Sequence, residues 1–294
     1  MKIKRYKDKM TISSWILFTF LLVYAVSMII PFIWGLSTSL KSNLDFRTNV
    51  LGLPKVYKWE TYLDVINEFY VPIANLHERR NVYIPEMLLN TLLYTVGYSL
   101  AGTFVACLTS YLITKFKYKL GKIIYAIILV VMIIPIVGSQ PSSLQLVKKL
   151  GMYDHIWGLW IMGANFTSIH VLVFCGAMAT IPNEMLEAAR IDGAKQTSIF
   201  FRIILPLAKT TFMTVALLIF ISAWNDYQIP LLYIPSKPTL SLGMYTLFQS
   251  TDSALSWPPA KIAGCYIIFV PILILFILFH KQLMGNLTMG GVKE

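Results

Sequence analysis

Charge is scarce in this sequence. Asp, Glu, Lys and Arg together make up only 13% of its 294 residues, whereas 56% are hydrophobic and the mean hydropathy is +0.65. So few charges exclude an ordinary soluble domain and point to several membrane-spanning helices. Cysteine is scarcer still. Cys107, Cys175 and Cys265 lie far apart, each inside an apolar run. That excludes a disulfide framework and a cysteine metal site, and leaves three small buried hydrophobes. The four histidines, His77, His155, His170 and His280, are equally dispersed, and neither HExxH nor GxSxG occurs. No metal site and no catalytic residue is expected, so the chain reads as no enzyme. A phosphate loop is missing too. Gly193-Ala194-Lys195 interposes an alanine between glycine and lysine, and Ala188 stands where the earlier glycine belongs. The chain binds no ATP of its own on this reading.

Long uncharged runs are what the sequence has. After a basic start (Lys2, Lys4, Arg5, Lys7 and Lys9), Thr11 to Leu40 carries no charge, with Trp15 and Trp34 about one bilayer thickness apart. A cleaved signal peptide would have a much shorter apolar core, so this reads as a first, retained span. Lys41 to Glu86 is a charge-balanced loop, with a short helix expected around Trp59 to Phe69. Met87 to Thr114 is the second span, and Gly102, Ala106 and Ser110 give it a small-residue stripe for close helix packing. Ile123 to Val147 follows Lys115, Lys117, Lys119 and Lys122, with Pro135, Gly138 and Pro141 set to break it. Trp157 to Ile181 is a fourth span, holding Asn165 and His170; a neutral His170 ring bonded to a neighbouring helix is expected. Thr210 to Leu232 is a fifth. The last opens at Lys261 and runs to about Phe279, with Pro271 inside. Fifteen Lys and Arg fall in the N-terminus, second connection, hinge and tail; the two other short connections hold only Lys148, Lys149, Lys237 and Lys261. The positive-inside rule therefore puts both termini and the hinge in the cytoplasm.

The hinge lies between the fourth and fifth spans. Pro182 stops what precedes it, Asn183 is the expected N-cap, and Glu184 and Glu187 sit in the first turns, where carboxylates favour the helix dipole. Gly193 stands at a C′ position. Met185, Leu186, Ala188 and Ala189 supply an apolar docking side. Periodicity alone leaves a solvated connector on the membrane as an equal reading. The spacing goes further: Glu187-Ala188-Ala189, three residues, Gly193, nine residues, then Ile203-x-Leu205-Pro206. This pattern resembles the signature loop of ABC importer permeases. The flanks, Ile181-Pro182 and Arg202 to Leu207, look most like the carbohydrate, maltose-type branch.

The resemblance implies an all-α integral membrane protein with about six transmembrane helices in the type I importer permease fold. It implies one permease domain, residues 1–294, with a cytoplasmic coupling loop 182–206 and extracytoplasmic loops 37–86 and 233–259. The ATPase-coupling residues would be Glu184, Glu187, Ala188, Ala189, Asp192, Gly193, Ile203, Leu205 and Pro206. Partners would be a second related permease, two ATPase subunits carrying ATP and Mg, an extracytoplasmic solute-binding protein and membrane lipid, in a bacterial cytoplasmic membrane. Nucleic acid is not among them. The cargo would be a carbohydrate, an oligosaccharide or glycoside, imported by ATP hydrolysis on the partner. The loop 233–259 would reach toward the binding protein, and the tail Leu287 to Lys293 into the ATPase interface. A non-sugar solute, or a secondary transporter needing no ATP, stays the alternative. Trp224, Asn225, Asp226 and Tyr227 near the end of the fifth span combine an aromatic face with amide and carboxylate groups that suit sugar hydroxyls. An interface anchor that packs the helix end is an equal reading of them.

Overall fold

The computed structural model describes residues 11–74, 79–116, 118–134, 138–250 and 255–287. The basic N-terminus, His77, Lys117, Pro135 and the tail beyond Leu287 lie outside these. In chain order the elements are α1 (Ile12–Ser39), α2 (Asn43–Thr48), α3 (Glu60–Glu68), β1 (Tyr70–Ala74), β2 (Arg79–Tyr83) and α4 (Ile84–Lys115). Then come α5 (Lys119–Ile133), α6 (Gln140–Lys149), α7 (Ile156–Gly163), α8 (Ile169–Ala179), α9 (Asn183–Ile191) and α10 (Gln196–Ile199). A π turn (Phe200–Ile204) leads into α11 (Leu205–Leu207), followed by α12 (Lys209–Asn225), α13 (Gln228–Tyr233), α14 (Leu240–Gln249) and α15 (Pro258–Leu287).

The chain divides into two compact units. One comprises Met1–Val65 and Ser250–Ile267, the other Ile66–Gln249 and Ile268–Glu294. In the first, α1 is uniformly apolar and almost wholly exposed, as a helix made for lipid is. Its C-terminal end is fixed by polar contacts: Trp34 Nε1 donates to Val50 O at 3.0 Å, and the buried Lys41 ammonium donates to Asn49 O at 2.8 Å and Val50 O at 3.0 Å. Tyr266 donates its hydroxyl to Phe32 O and fills the space that Gly35 leaves open.

The second unit is built around α4. Its expected stripe is buried: Gly102, Ala106 and Ser110 all face neighbouring helices. A Cβ on Gly102 would stand 2.9 Å from Gly163 O, so only glycine lets α7 approach so closely there. Most of the buried Ser and Thr hydroxyls of α4 are satisfied within the helix, Thr103 excepted. Thr91, Thr95, Ser99, Ser110 and Thr114 each bond a carbonyl three or four residues earlier, which lets a polar-studded helix sit inside an apolar bundle.

Three described helices are long and apolar enough to cross a membrane: Ile12–Ser39, Ile84–Lys115 and Pro258–Phe279. The number is five when two bent pairs each count as one span, against the six expected. The expected third span is two pieces, α5 and α6. Gly138 has φ +83° between them, and Pro141 sits in the first turn of α6, where a missing N–H costs nothing. The expected fourth is cut between α7 and α8, where Asn165 Oδ1 takes the Thr167 N–H at 2.8 Å and its hydroxyl at 2.7 Å. His170 is half-buried, and its ring makes no hydrogen bond among the described residues, unlike the bonded ring expected.

Two further departures concern the loops. Within 37–86 the short helix α3 forms as expected, but an antiparallel ribbon that was not expected forms as well. Tyr70 pairs with Tyr83 and Val71 with Val82, turning Val71, Ile73 and Val82 inward. Within 233–259, α14 buries Leu240, Leu242, Met244 and Leu247, so that part is packed structure rather than a free polar loop.

Candidate functional site: the hinge between α8 and α12

The hinge is a right-angled excursion. The α8 and α9 axes meet at 75°, and the segment Gln196–Leu207 meets α12 at 77°. Pro182 takes extended backbone just before α9, and the N-cap is Pro182 rather than Asn183. The expected Asn183 cap fails because its side chain is engaged elsewhere: Asn183 Oδ1 accepts from Lys115 Nζ at 3.1 Å. The same ammonium also donates to Ile181 O at 2.6 Å. Lys115 thus takes a carbonyl left open beyond the end of α8.

At the other end α9 closes in a full Schellman turn. Gly193 N–H donates to Arg190 O at 3.0 Å and Ala194 N–H to Ala189 O at 2.9 Å. Gly193 has φ +80°, which an L-residue adopts at a cost of roughly 1–2 kcal/mol. Beyond the turn, Tyr111 donates its hydroxyl to Gln196 Oε1 at 3.2 Å, and the Arg190 guanidinium lies 5.8 Å from the centre of the Phe116 ring.

Beneath the hinge lies an apolar floor. Ile181, Leu186, Ile199, Phe200, Ile204 and Ala208 are buried in one cluster with Tyr111, Phe174 and Met178. Phe200 meets Phe104 edge-on at 6.0 Å and Tyr111 at 5.3 Å. The π turn at Phe200–Ile204 is the kind of irregular turn that concentrates at working sites.

The expected coupling residues separate into three kinds. Glu184, Glu187, Ala188 and Asp192 are exposed, and Glu187 and Asp192 have no ion pair or side-chain hydrogen bond with described residues. Ala189, Ile203 and Leu205 are half-buried against the floor. Gly193 and Pro206 shape the backbone, Pro206 in the first turn of α11. Of the four apolar residues expected to dock, Leu186 faces inward at 3% exposure, while Met185 and Ala188 are open. They are joined by Ile191 at 86% exposure. The outer face of α9 is therefore an uncovered apolar stripe edged by carboxylates. Sequence reading missed Ile191, Lys115, Tyr111 and Gln196. Ile191 carried a signal, because it falls on the stripe of Met185 and Ala188.

The second expected site is differently placed. Trp224 is fully buried, with its Nε1 donating to Ile268 O at 3.2 Å and its ring against Phe220. Asp226 Oδ1 accepts from the N–H groups of Gln228 at 2.7 Å and Ile229 at 3.2 Å, closing the start of α13. Tyr227 stacks on Tyr245, with centroids 4.3 Å apart and planes at 11°. Asn225 is exposed, and its amide nitrogen donates to Ile221 O at 2.8 Å. Among the described residues no group of His, Cys, Asp and Glu is arranged to hold a metal.

Residues 98–287 match the family described as the binding-protein-dependent transport system inner membrane component. The chain is 32% identical over 282 residues to the probable starch degradation products transport system permease protein AmyC of Thermoanaerobacterium thermosulfurigenes, covering 95% of this chain and 97% of that one. It is 28% identical to the melibiose/raffinose/stachyose import permease protein MelC of Bacillus subtilis, covering 92% and 94% respectively. In fold it is similar to a chain of a bacterial ABC transporter involved in importing the acidic polysaccharide alginate. The TM-score is 0.76 at 22% identity, over 94% of this chain and 98% of that one.

Proposed function

The chain belongs to the binding-protein-dependent transport system inner membrane components, and on that premise we propose that its cargo is a carbohydrate, an oligosaccharide or glycoside. The likeness to permeases named for starch products and for melibiose, raffinose and stachyose, running over nearly the whole chain, supports that cargo class. The observation that carries the mechanism is the uncovered outer face of α9: Met185, Ala188 and Ile191 are open to solvent on a helix held at both ends. An exposed apolar stripe rimmed by charge fits a protein partner. That partner is the ATPase, which brings ATP and Mg2+, since this chain has no phosphate loop.

Two ATPases, a second permease and a solute-binding protein complete the importer in this reading. Both termini and the hinge face the cytoplasm, following the basic residues. ATP-driven closure of the ATPases presses on α9, and the bend at each end of the hinge passes the motion into α8 and α12. Glu187 and Asp192 meet basic groups of the ATPase, and Gly193 sets the exit direction. On the far side, Asn225 faces the cargo, while Trp224, Asp226 and Tyr227 hold the backbone that presents it.

The test is the purified complex carrying Ala188→Cys. The cysteine is expected to cross-link to a co-purifying ATPase, and the associated binding protein is expected to carry a sugar. An assembly without an ATPase, or a binding protein loaded with a peptide or amino acid, overturns the reading.

A further inference from the structure

The α4 helix touches the molecule's working parts at both of its ends. Its last turn holds both flanks of α9. Lys115 Nζ bonds Ile181 O and Asn183 Oδ1 before α9 begins, and Tyr111 bonds Gln196 just after α9 ends. The ring of Phe116, the next residue along, lies beside Arg190 in the last turn of α9. Its first turns hold the segment that leads into α14: Asn90 Nδ2 donates to Pro238 O at 3.2 Å, and the Leu240 N–H donates to Thr91 Oγ1 at 2.9 Å. The side chains of Asn90 and Thr91 are buried, at 7% and 0% exposure, so these bonds are shielded from competing water.

Between the two grips α4 is one unbroken helix of 32 residues, about 48 Å long at the usual rise, with its only proline in the first turn. Beyond that first turn the helix is free of proline and packs along α7, α8 and α12, so it has no proline kink at which to absorb a displacement. The bent routes through α8 and α12 do.

We propose that α4 is the lever that couples the two faces of the transporter, with Lys115 and Thr91 as the positioning residues at its two ends. Displacing α9 moves the C-terminal end of α4, and the N-terminal end carries residues 238–240 and α14 with it. Reciprocally, a solute-binding protein pressing on the 233–259 region biases the position of α9, as linkage requires. This rests on the reading of α9 as the ATPase contact and of 233–259 as the extracytoplasmic face. What it adds is the route and the two residues that fasten it.

The experiment uses the reconstituted complex and reads the ratio of ATP hydrolysis with and without loaded binding protein, alongside uptake per ATP. Lys115→Met keeps the aliphatic stem and removes the donor. It is expected to lower the ratio about tenfold, within the usual span of allosteric coupling. Lys115→Arg restores most of it, because a guanidinium can still reach two acceptors. Thr91→Val, which is nearly isosteric, is expected to give a similar loss. The double variant should be no worse than either single, since one lever is released only once. Additive losses, or an unchanged ratio in Lys115→Met, overturn the proposal. So does a Lys115→Met complex that sheds its ATPase, which would mark Lys115 as an assembly residue. Failure of the Ala188→Cys cross-link in the wild-type background removes the underlying reading instead, and the lever with it.

Discussion

The hinge and the Trp224–Tyr227 stretch both offer polar residues beside a span, yet the structure uses them in opposite ways. In the hinge, the fold is made by residues outside the polar set: Lys115, Tyr111, Leu186 and Phe200 fasten it from below. Glu187, Ala188 and Asp192 are left free on the outside. At the end of α12 the polar and aromatic groups are themselves the fasteners. Trp224 is packed and bonded, Asp226 closes α13, and Tyr227 stacks on Tyr245. A side chain whose hydrogen bonds are already taken within its own chain has little left to offer a ligand. Residues spared by the fold are the stronger candidates for contact.

The sharpest way to break this contrast is Trp224→Ala. Emptying the space of a fully buried tryptophan costs about 3–5 kcal/mol in soluble cores. The expected result is a complex that is scarce in the membrane, with near-normal uptake per assembled copy. Normal abundance with lost uptake would place the ring in the cargo path and undo the contrast.

A smaller effect is expected at Gly193, and here the choice of side chain reads the cause. Among the described residues, none beyond its chain neighbours comes within 4 Å of where a Cβ would stand, so a substitution is penalised through φ +80° and not through a clash. Valine should suffer the full penalty of roughly 1–2 kcal/mol, or about tenfold in uptake, with the complex still assembled. Asparagine tolerates the left-handed region and should retain most activity. Equal uptake by the two variants would show that the turn does not set the direction of α9.

The hinge was legible because punctuation marks it locally. Pro182 and Pro206 fix φ by their own ring chemistry and Gly193 takes a positive φ that other residues resist, so their spacing describes the turn geometry before any partner is known. What stayed hidden depends on distant partners. Asn183 loses its cap role to Lys115, 68 positions away. The ribbon of Val71, Ile73 and Val82 is too short for its alternation to stand out beside Pro72, Arg79 and Arg80. Gly243 and the serines around α14 argue locally against a helix. Packing against Met87 and Phe69 overrides them: a Cβ at Gly243 would come within 2.6 Å of the Met87 sulfur. The six uncharged runs were plain in outline, but their breaks at Gly138 and Asn165 needed the fold.

The smallest expected effect separates two roles within one residue. Asp226 accepts two backbone N–H groups through Oδ1, a cap whose loss typically costs about 1 kcal/mol. Asp226→Ala should therefore lower complex abundance modestly. Asp226→Asn keeps an acceptor oxygen in the same place while removing the charge, so it should match wild type in both abundance and uptake per copy. Asn225→Ala is the control within the same stretch, because its amide nitrogen bonds a carbonyl one turn back in α12 and takes no part in closing α13. Its exposed amide is free to lose without harm to α13, so its loss should appear in uptake per copy and not in abundance. The decisive measurement is sugar uptake normalised to complex in the membrane, taken for all three variants together. If Asp226→Asn is abundant but transports poorly, the carboxylate serves the cargo as well as the cap. A group consumed by the fold would then have been shown to work twice, and the line drawn between the two regions would fail at this residue first.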